Sequence, residues 1–300
     1  MKPADLDAPP IRTRGLGKRY GPVVALRDLS LDVAAGEVFG FLGPNGAGKT
    51  TTIRILLGVI RADSGEARVL GRPVASAGVA WRGEIGYLPG DLTFWPGLTG
   101  AETLDFLAGL SGRPAGARQR LLERLGLPAS VLARPVRTYS DGMKQKLGLV
   151  QALQCEPSLA LLDEPTKGLD PLVQQAFYEI VLELRRRGAT VFLSSHVLPE
   201  VERVCDRVAM LRAGTVVSVG DVEALRRAER RRVIADFDAD VDPASLGHFG
   251  ELAVASPRHV EMMVAQAAIP ALVARLGLLP LADLVVERPS LEEAFLEHYR

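Results

Sequence analysis

The sequence predicts an α/β fold followed by a smaller α+β domain. Three apolar runs, at 38–42, 159–162 and 191–193, are continuous rather than alternating, which indicates strands buried on both faces of a parallel sheet. Each run leads into polar residues, so these residues should collect at one edge of the sheet. The length of 300 residues, of which 47% are hydrophobic, favours two domains over one.

The composition excludes some classes of partner and compartment. With 36 basic and 36 acidic residues, the formal net charge is zero, so we expect no nucleic-acid partner. Cys155 and Cys205 have neither metal-ligand spacing nor the number needed for a disulfide framework, which is typical of a reducing, cytosolic setting. The opening MKPADLDAPP has acids and prolines in place of an apolar signal, so we expect residues 1–11 to form a short loose tail.

The most apolar stretch, at 262–286, is a poor membrane span. Polar residues and prolines interrupt it at Gln266, Pro270, Arg275, Pro280 and Asp283, whereas a spanning helix needs about 20 consecutive apolar residues. We interpret it as strand, helix and strand of a small domain. Any membrane role therefore requires a partner chain.

The segment GPNGAGKT follows the first apolar run and precedes an apolar helix. It matches the pattern G-x-x-x-x-G-K-S/T in the strand, loop and helix context that a phosphate-binding loop requires. Its glycines let backbone N–H groups surround phosphate oxygens, the lysine supplies a positive charge, and the threonine hydroxyl can reach Mg²⁺. The residues assigned to phosphate binding are Gly43, Pro44, Asn45, Gly46, Ala47, Gly48, Lys49, Thr50 and Thr51.

The second apolar run ends in two adjacent carboxylates, Asp163 and Glu164. We predict that Asp163 holds Mg²⁺ from the side opposite Thr50. Because side chains alternate along a strand, the two carboxylates should face differently, so that one binds the metal and the other points at an attacking water.

The third apolar run delivers Ser194, Ser195 and His196 to the same edge of the sheet. A single histidine is often structural. Here it follows a buried strand in a chain that also has a phosphate loop and an acidic pair, so we expect His196 to sense the γ-phosphate or to orient the water.

The ordered segments GPNGAGKT, YSDGM, LLDEP, GLD and SSH resemble the nucleotide-binding subunit of ATP-binding cassette (ABC) transporters, over residues of about 12 to 220. The resemblance implies a P-loop ATPase core with an antiparallel β subdomain and a helical insert. It also implies that Glu164 is the catalytic base, His196 the switch histidine and Asp163 the Mg²⁺ carboxylate. Tyr20 resembles the aromatic that stacks on adenine, and Asp170 belongs to a loop that crosses to a partner subunit.

The segment YSDGM, at 139–143, resembles the family's signature, normally Leu-Ser-Gly-Gly-Gln, which binds the γ-phosphate of the nucleotide on the opposite subunit. Ser140 and Gly142 keep the two positions expected to contact phosphate. Asp141 departs from the pattern, and we expect its carboxylate to point away from the phosphate. One P-loop and one signature occur in the chain, so two chains facing head to tail would complete two sites.

A further departure follows the predicted strand EIGYLP. The family normally has a glutamine there that touches Mg²⁺ or water, whereas this chain has Gly90 followed by Asp91. Either Asp91 takes over that contact or the site has fewer contacts, and the sequence leaves both alternatives open.

The remaining elements follow from local patterns. Residues 12 to about 90 indicate antiparallel strands flanking the core, and a capping box at Thr99 starts a helical insert that runs from about 99 to 156. Asp170 and Pro171 open the next helix. From 221 to 300 we expect a small α+β accessory domain, with strands RRVIADFDA, HVEMMVA and ADLVVERP and helices IPALVARL and SLEEAFLEHY. The run RRAERRR, at 226–232, is interpreted as a solvated helix end.

These features predict an ATP hydrolase that powers a separate membrane permease from the cytoplasmic face of the membrane. The segment PSLEEAFLEHY resembles the tail of multidrug or antibiotic efflux subunits, which favours export. Phe94 and Trp95 lie where the resemblance places the groove for the permease, although one of them could instead fill the core of the insert. One alternative is a soluble ABC ATPase that acts on ribosomes or DNA, but the sequence shows neither the second cassette nor the long coiled coil typical of such proteins. Another is a P-loop small-molecule kinase, which would have no use for YSDGM.

Overall fold

The computed structural model describes residues 8–223 and 230–287. The chain divides into two compact units, one up to Gly220 and one from Asp221 onward. Across the described ranges, no helix combines the length and the apolar character that crossing a membrane requires.

The first unit alternates strands and helices. In chain order its elements are β1 Ile11–Tyr20, β2 Val23–Val33, β3 Val38–Leu42, α1 Lys49–Leu56, β4 Ser64–Val69, β5 Arg72–Pro73, β6 Ile85–Leu88, α2 Gly100–Ser111, α3 Arg118–Arg124, α4 Ala129–Leu132, α5 Asp141–Leu153, β7 Leu159–Asp163, α6 Pro171–Arg186, β8 Thr190–Ser195, α7 Leu198–Val204, β9 Arg207–Arg212 and β10 Thr215–Asp221.

The central sheet has six strands in the order β10-β9-β3-β8-β7-β6. The pairs formed by β3 with β8 and β9, and by β7 with β6 and β8, are parallel. All residues of β3, β7 and β8 are buried, as their continuous apolar runs predict. Phe39 and Phe41 on β3 contact the ring of Phe192 on β8, with centroids 5.9 and 5.1 Å apart, and this packing fixes the two strands against each other.

The second sheet of this unit has the order β2-β1-β4-β5 and its strand pairs are antiparallel, which confirms the predicted β subdomain. The first strand of this sheet begins at Ile11, whose side chain is fully buried.

The helical insert begins at the predicted capping box. The Thr99 hydroxyl accepts from the Glu102 N–H at 3.2 Å, while the Glu102 carboxylate accepts from the Thr99 N–H at 2.8 Å. Helices α2 to α5 follow, and the last of them ends at Leu153. The side chain of Asp170 similarly accepts from the Val173 N–H at 3.0 Å and caps α6, as its pairing with Pro171 predicts.

The second unit contains β11 Arg230–Phe237, β12 Gly250–Ser256, β13 His259–Ala265, α8 Ile269–Leu276 and β14 Leu281–Glu287. Its sheet has the order β12-β13-β11-β14, with antiparallel pairs. The α8 residues Leu272 and Leu276 pack into the core that this sheet forms. The helix predicted at SLEEAFLEHY lies outside the described residues.

One strand of the second unit, β12, was not predicted from the sequence. It is an edge strand whose residues are exposed or half-buried, so it lacks a continuous apolar run. Of the run RRAERRR, residues 226–229 lie outside the described residues. Arg230, Arg231 and Arg232 lie in β11, which matches the predicted strand RRVIADFDA but begins one residue earlier, and they pair with β13.

Candidate nucleotide-binding site

The strand ends of the central sheet bring the predicted motifs together. Leu42 pairs with Ser195 across β3 and β8, and Asp163 pairs with Ser194 across β7 and β8. Because these strands are parallel, the phosphate loop, the acidic pair and His196 all leave the sheet at one edge.

The phosphate loop is held open by glycine. Gly46 and Gly48 have φ of 80° and 111°, values that side chains disfavour. A Cβ at Gly48 would also lie 2.6 Å from the Ala25 carbonyl oxygen. Gly48 precedes α1 without a side-chain cap, so the first N–H groups of this helix are left to receive an anion.

Lys49 is buried, with 6% of its surface exposed, and its ammonium is surrounded by acceptors. Nζ donates to the Gly43 carbonyl at 2.6 Å and to the Pro44 carbonyl at 3.3 Å. It also forms an ion pair with Glu164 Oε1 at 3.2 Å. These contacts fix the Lys49 ammonium next to the loop, whose backbone N–H groups are available to an anion.

Thr50 and Asp163 form the oxygen pair that the sequence assigns to a metal. Thr50 Oγ1 donates to Asp163 Oδ2 at 2.7 Å, and the Ser194 hydroxyl donates to the other oxygen of this fully buried carboxylate. Among the described residues, no group of three or more His, Cys, Asp or Glu side chains could hold a metal by itself. A hydroxyl and one carboxylate fit Mg²⁺, which is commonly bound by few protein oxygens together with water and substrate phosphates.

The Glu164 carboxylate lies between Lys49 and His196 and contacts both. Its side chain is 16% exposed, and its Oε2 lies 2.7 Å from His196 Nδ1, while Oε1 contacts Lys49. The Glu164 backbone has φ of 50°, and its N–H donates to the Ser194 carbonyl at 3.1 Å. Asp163 and Glu164 therefore have different partners, as expected from the sequence. Because Glu164 follows β7 in a left-handed conformation, the turn and not strand alternation directs its side chain.

A cavity of about 280 Å³ lies beside these groups. It is lined by Tyr20, Val23 and Ala25, by Pro44, Asn45, Gly46, Gly48, Lys49, Thr50 and Thr51 of the loop, and by Gly90, Asp91, Asp163, Glu164 and Lys167. Tyr20 lies at the cavity wall and is 46% exposed. Sequence reasoning missed Lys167, although a basic residue three positions after Glu164 was a signal.

The signature residues lie elsewhere in the chain. Among the described residues, Ser140, Gly142 and Asp170 do not line this cavity. Ser140 caps α5 and accepts from the Met143 N–H at 3.3 Å, and both Ser140 and Asp141 are exposed. The Asp141 carboxylate pairs with Lys144 at 3.2 Å.

Tyr139 explains one departure from the signature pattern. Its ring is buried, and its hydroxyl donates to the Val131 carbonyl at 2.8 Å. A Cβ at Gly100 would lie 2.2 Å from this hydroxyl oxygen, so the insert accommodates the tyrosine with a glycine. Burial raises the pKa of Tyr139, which remains a neutral donor.

Gly90 lies against the Asp163 carboxylate, whereas the Asp91 side chain is exposed. A Cβ at Gly90 would lie 3.1 Å from Asp163 Oδ2. The Asp91 side chain is 90% exposed, and its Oδ1 lies 3.7 Å from Lys167 Nζ. Asp91 thus lines the cavity, but its carboxylate contacts Lys167 and does not contact Thr50 or Asp163.

Comparisons with known proteins identify the family to which this chain is similar. The family model described as ABC transporter matches residues 26–167. An uncharacterised ABC transporter ATP-binding protein of Synechocystis is 38% identical over 294 residues, which cover 93% of this chain and 79% of that protein. The fluoroquinolones export ATP-binding protein of Mycobacterium tuberculosis is 36% identical, over 80% of each chain. A Nostoc relative is 45% identical over 68% of this chain and 62% of its own length.

Solved structures show the same fold. The ATP-binding subunit of an ABC transporter superposes with a TM-score of 0.67 and 32% identity, covering 72% of this chain and 92% of that one. A dimeric ATP-binding cassette bound to ADP and Pi superposes with a TM-score of 0.63 and 21% identity, covering 71% and 98%.

The fold and the loop geometry define a P-loop ATPase of the ATP-binding cassette class. The chain belongs to the ABC transporter ATP-binding proteins, and it binds and hydrolyses ATP.

The positions of Asp163 and Asp91 make a testable distinction. We expect Asp163→Asn to weaken Mg²⁺-dependent binding of a fluorescent ATP analogue at least tenfold, because it changes the buried oxygen next to Thr50. Asp91→Asn should change this affinity by less than about twofold, since its carboxylate is exposed and loosely paired. The measurement is a Mg²⁺ titration at fixed analogue concentration. A large effect of Asp91→Asn would show that Asp91 replaces the missing glutamine.

Proposed function

We propose that this chain is the ATP-hydrolysing subunit of an exporter, acting as a homodimer on the cytoplasmic face of the membrane and bound there to a separate permease. The observation that carries the catalytic part is the placement of Glu164 between Lys49 and His196, beside the Thr50 and Asp163 pair. The name of the Mycobacterium relative supports export of a drug or a similar compound.

The proposed chemistry follows from these contacts. The loop N–H groups and Lys49 bind the β- and γ-phosphates, and Tyr20 stacks on the adenine. Thr50 and Asp163 would hold Mg²⁺, which neutralises developing phosphate charge when bound. Glu164 accepts the proton of the water whose oxygen attacks the γ-phosphorus, and the bond from this phosphorus to the β–γ bridging oxygen breaks, so that ADP and phosphate leave. His196 orients Glu164 through its contact at 2.7 Å.

The homodimer is proposed because the signature is exposed and lies outside the cavity of its own chain. Helix α5 has 13 residues and presents its N-terminus at Ser140 and Gly142, where backbone N–H groups and the helix dipole favour an anion. A second chain placed head to tail would bring Ser140, Gly142 and Asp170 to the nucleotide of the first.

The permease is proposed to bind a groove of about 800 Å³ in the first unit. Its lining includes Trp95, which is 51% exposed, together with Phe94 and Leu110. The Trp95 ring packs edge-on against Phe106, with centroids 5.0 Å apart. Exposed aromatic rings in a groove are favourable contacts for an apolar helix of a partner.

The role of Glu164 is tested by Glu164→Gln. The amide is a poor base, so we expect ATP binding to persist while turnover falls by about 10² to 10⁴-fold. The ATP-bound chain should then accumulate as a dimer, which sedimentation in Mg-ATP would detect. A variant that turns over normally and stays monomeric would contradict both the base and the dimer.

The head-to-tail arrangement is tested by mixing two inactive chains. Ser140→Arg damages the signature and Lys49→Ala damages the phosphate loop. A mixed dimer contains one site in which both are intact, provided that they act across the interface. Hydrolysis by the mixture should therefore exceed that of either variant alone. Full activity of Ser140→Arg by itself would show that the signature has no such role.

The groove is tested by Trp95→Ala. We expect the ATPase activity of the isolated subunit to stay within about twofold, while retention of the permease in a membrane pull-down falls at least tenfold because a central aromatic contact is lost. Leu278→Ala provides a control, since Leu278 is 79% exposed and lies in the second unit. A lower melting temperature with unchanged pull-down would instead show that Trp95 stabilises the insert.

A further inference from the structure

A buried carboxylate lies behind the catalytic edge of the central sheet. Glu200, in the first turn of α7, is 6% exposed. Its Oε2 accepts from the Ser195 hydroxyl at 2.7 Å, and its Oε1 accepts from the Thr166 hydroxyl. Both donors are themselves buried. Burial of a carboxylate is costly unless it is hydrogen-bonded, so these two contacts define its position.

One of the two donors controls the turn that carries His196. Ser195 is the last residue of β8, and its hydroxyl oxygen accepts from the Val197 N–H at 2.9 Å. This bond spans His196. Since the same hydroxyl donates to Glu200, the backbone on both sides of His196 is fixed through one carboxylate oxygen.

The other donor controls the turn that follows Glu164. Thr166 lies two residues after Glu164, and the Lys167 N–H donates to the Glu164 carbonyl at 3.2 Å, closing a tight turn. The Thr166 hydroxyl reaches across to Glu200. One side chain of α7 therefore joins the two turns whose side chains, Glu164 and His196, meet at 2.7 Å.

We propose that Glu200 is a positioning residue for hydrolysis, which sets the distance between Glu164 and His196 by accepting one hydroxyl from each turn. The inference rests on the roles proposed for Glu164 and His196. A carboxylate suits this task because it accepts at both oxygens, whereas an amide offers one acceptor oxygen and one donor group. Glu200 itself lies behind the turns and does not line the nucleotide cavity within the described residues.

The expected effect is on turnover rather than on substrate binding. Glu200→Ala leaves both hydroxyls without their acceptor, and a displacement of about 1 Å at a catalytic group can cost about 10²-fold in rate. We expect kcat to fall 10- to 100-fold, with KM for ATP changed by less than about threefold because Lys49 and the loop are untouched. Glu200→Gln keeps one acceptor and should retain more activity than Glu200→Ala.

The decisive experiment is a double-mutant cycle on the full chain, with kcat measured for wild type, Glu200→Ala, His196→Ala and the double variant. If Glu200 acts through His196, Glu200→Ala should lower kcat less than about threefold in the His196→Ala background. An equal loss in both backgrounds would overturn the proposal. If His196→Ala itself keeps wild-type turnover, the proposed role of His196 fails, and the inference fails with it.

A matched control separates positioning from stability. Glu37 is also buried, at 9% exposure, and accepts from the Ala34 N–H at 2.6 Å, but it precedes β3 at the opposite end of the strand. Glu37→Gln should lower the melting temperature while kcat per folded molecule is retained. A Glu37→Ala variant that loses as much kcat as Glu200→Ala would indicate a general stability effect and contradict the proposal. If Glu200→Ala does not fold, Ser195→Ala and Thr166→Val remove the donors one at a time, and unchanged kcat in both would overturn it.

Discussion

The parallel alignment of β3, β8 and β7 is the constraint on which the site depends. These strands are buried on both faces, and the aromatic contacts of Phe192 with Phe39 and Phe41 fix β8 against β3. Their carboxyl ends therefore coincide, and residues that are more than a hundred positions apart become neighbours. The bond of 2.7 Å between Thr50 and Asp163 exists because the sheet delivers both groups to one edge.

Polar contacts then convert this shared edge into a defined geometry. Lys49 is held by the Gly43 carbonyl and by Glu164, and Glu164 is in turn held by His196. The side chains of Lys49 and Glu164 are only 6% and 16% exposed, so water weakens their contact little and the two groups are oriented before substrate arrives. Behind these residues, the buried carboxylate of Glu200 accepts hydrogen bonds from the two turns that carry Glu164 and His196.

Some departures from the family pattern fit into the protein core, and others alter the cavity. Tyr139 is accommodated in the core, because Gly100 leaves space for it and the Val131 carbonyl accepts a hydrogen bond from its hydroxyl. Gly90 alters the cavity, since a backbone position next to Asp163 replaces a side chain that could reach metal or water. Lys167 adds a cation at the cavity wall and pairs with Asp91.

The sequence by itself determined the class of fold, the phosphate loop, the order of the motifs and the capped helix starts at Thr99, Ser140 and Asp170, because each depends on residues close together in the chain. The sequence did not predict β12, because this edge strand has no continuous apolar run and is held by its pairing with β13. Tertiary structure alone decided that Asp91 pairs with Lys167 and that Glu200 joins two distant turns. These contacts depend on side-chain directions across separate strands and loops, and no local spacing in a single sequence encodes those directions.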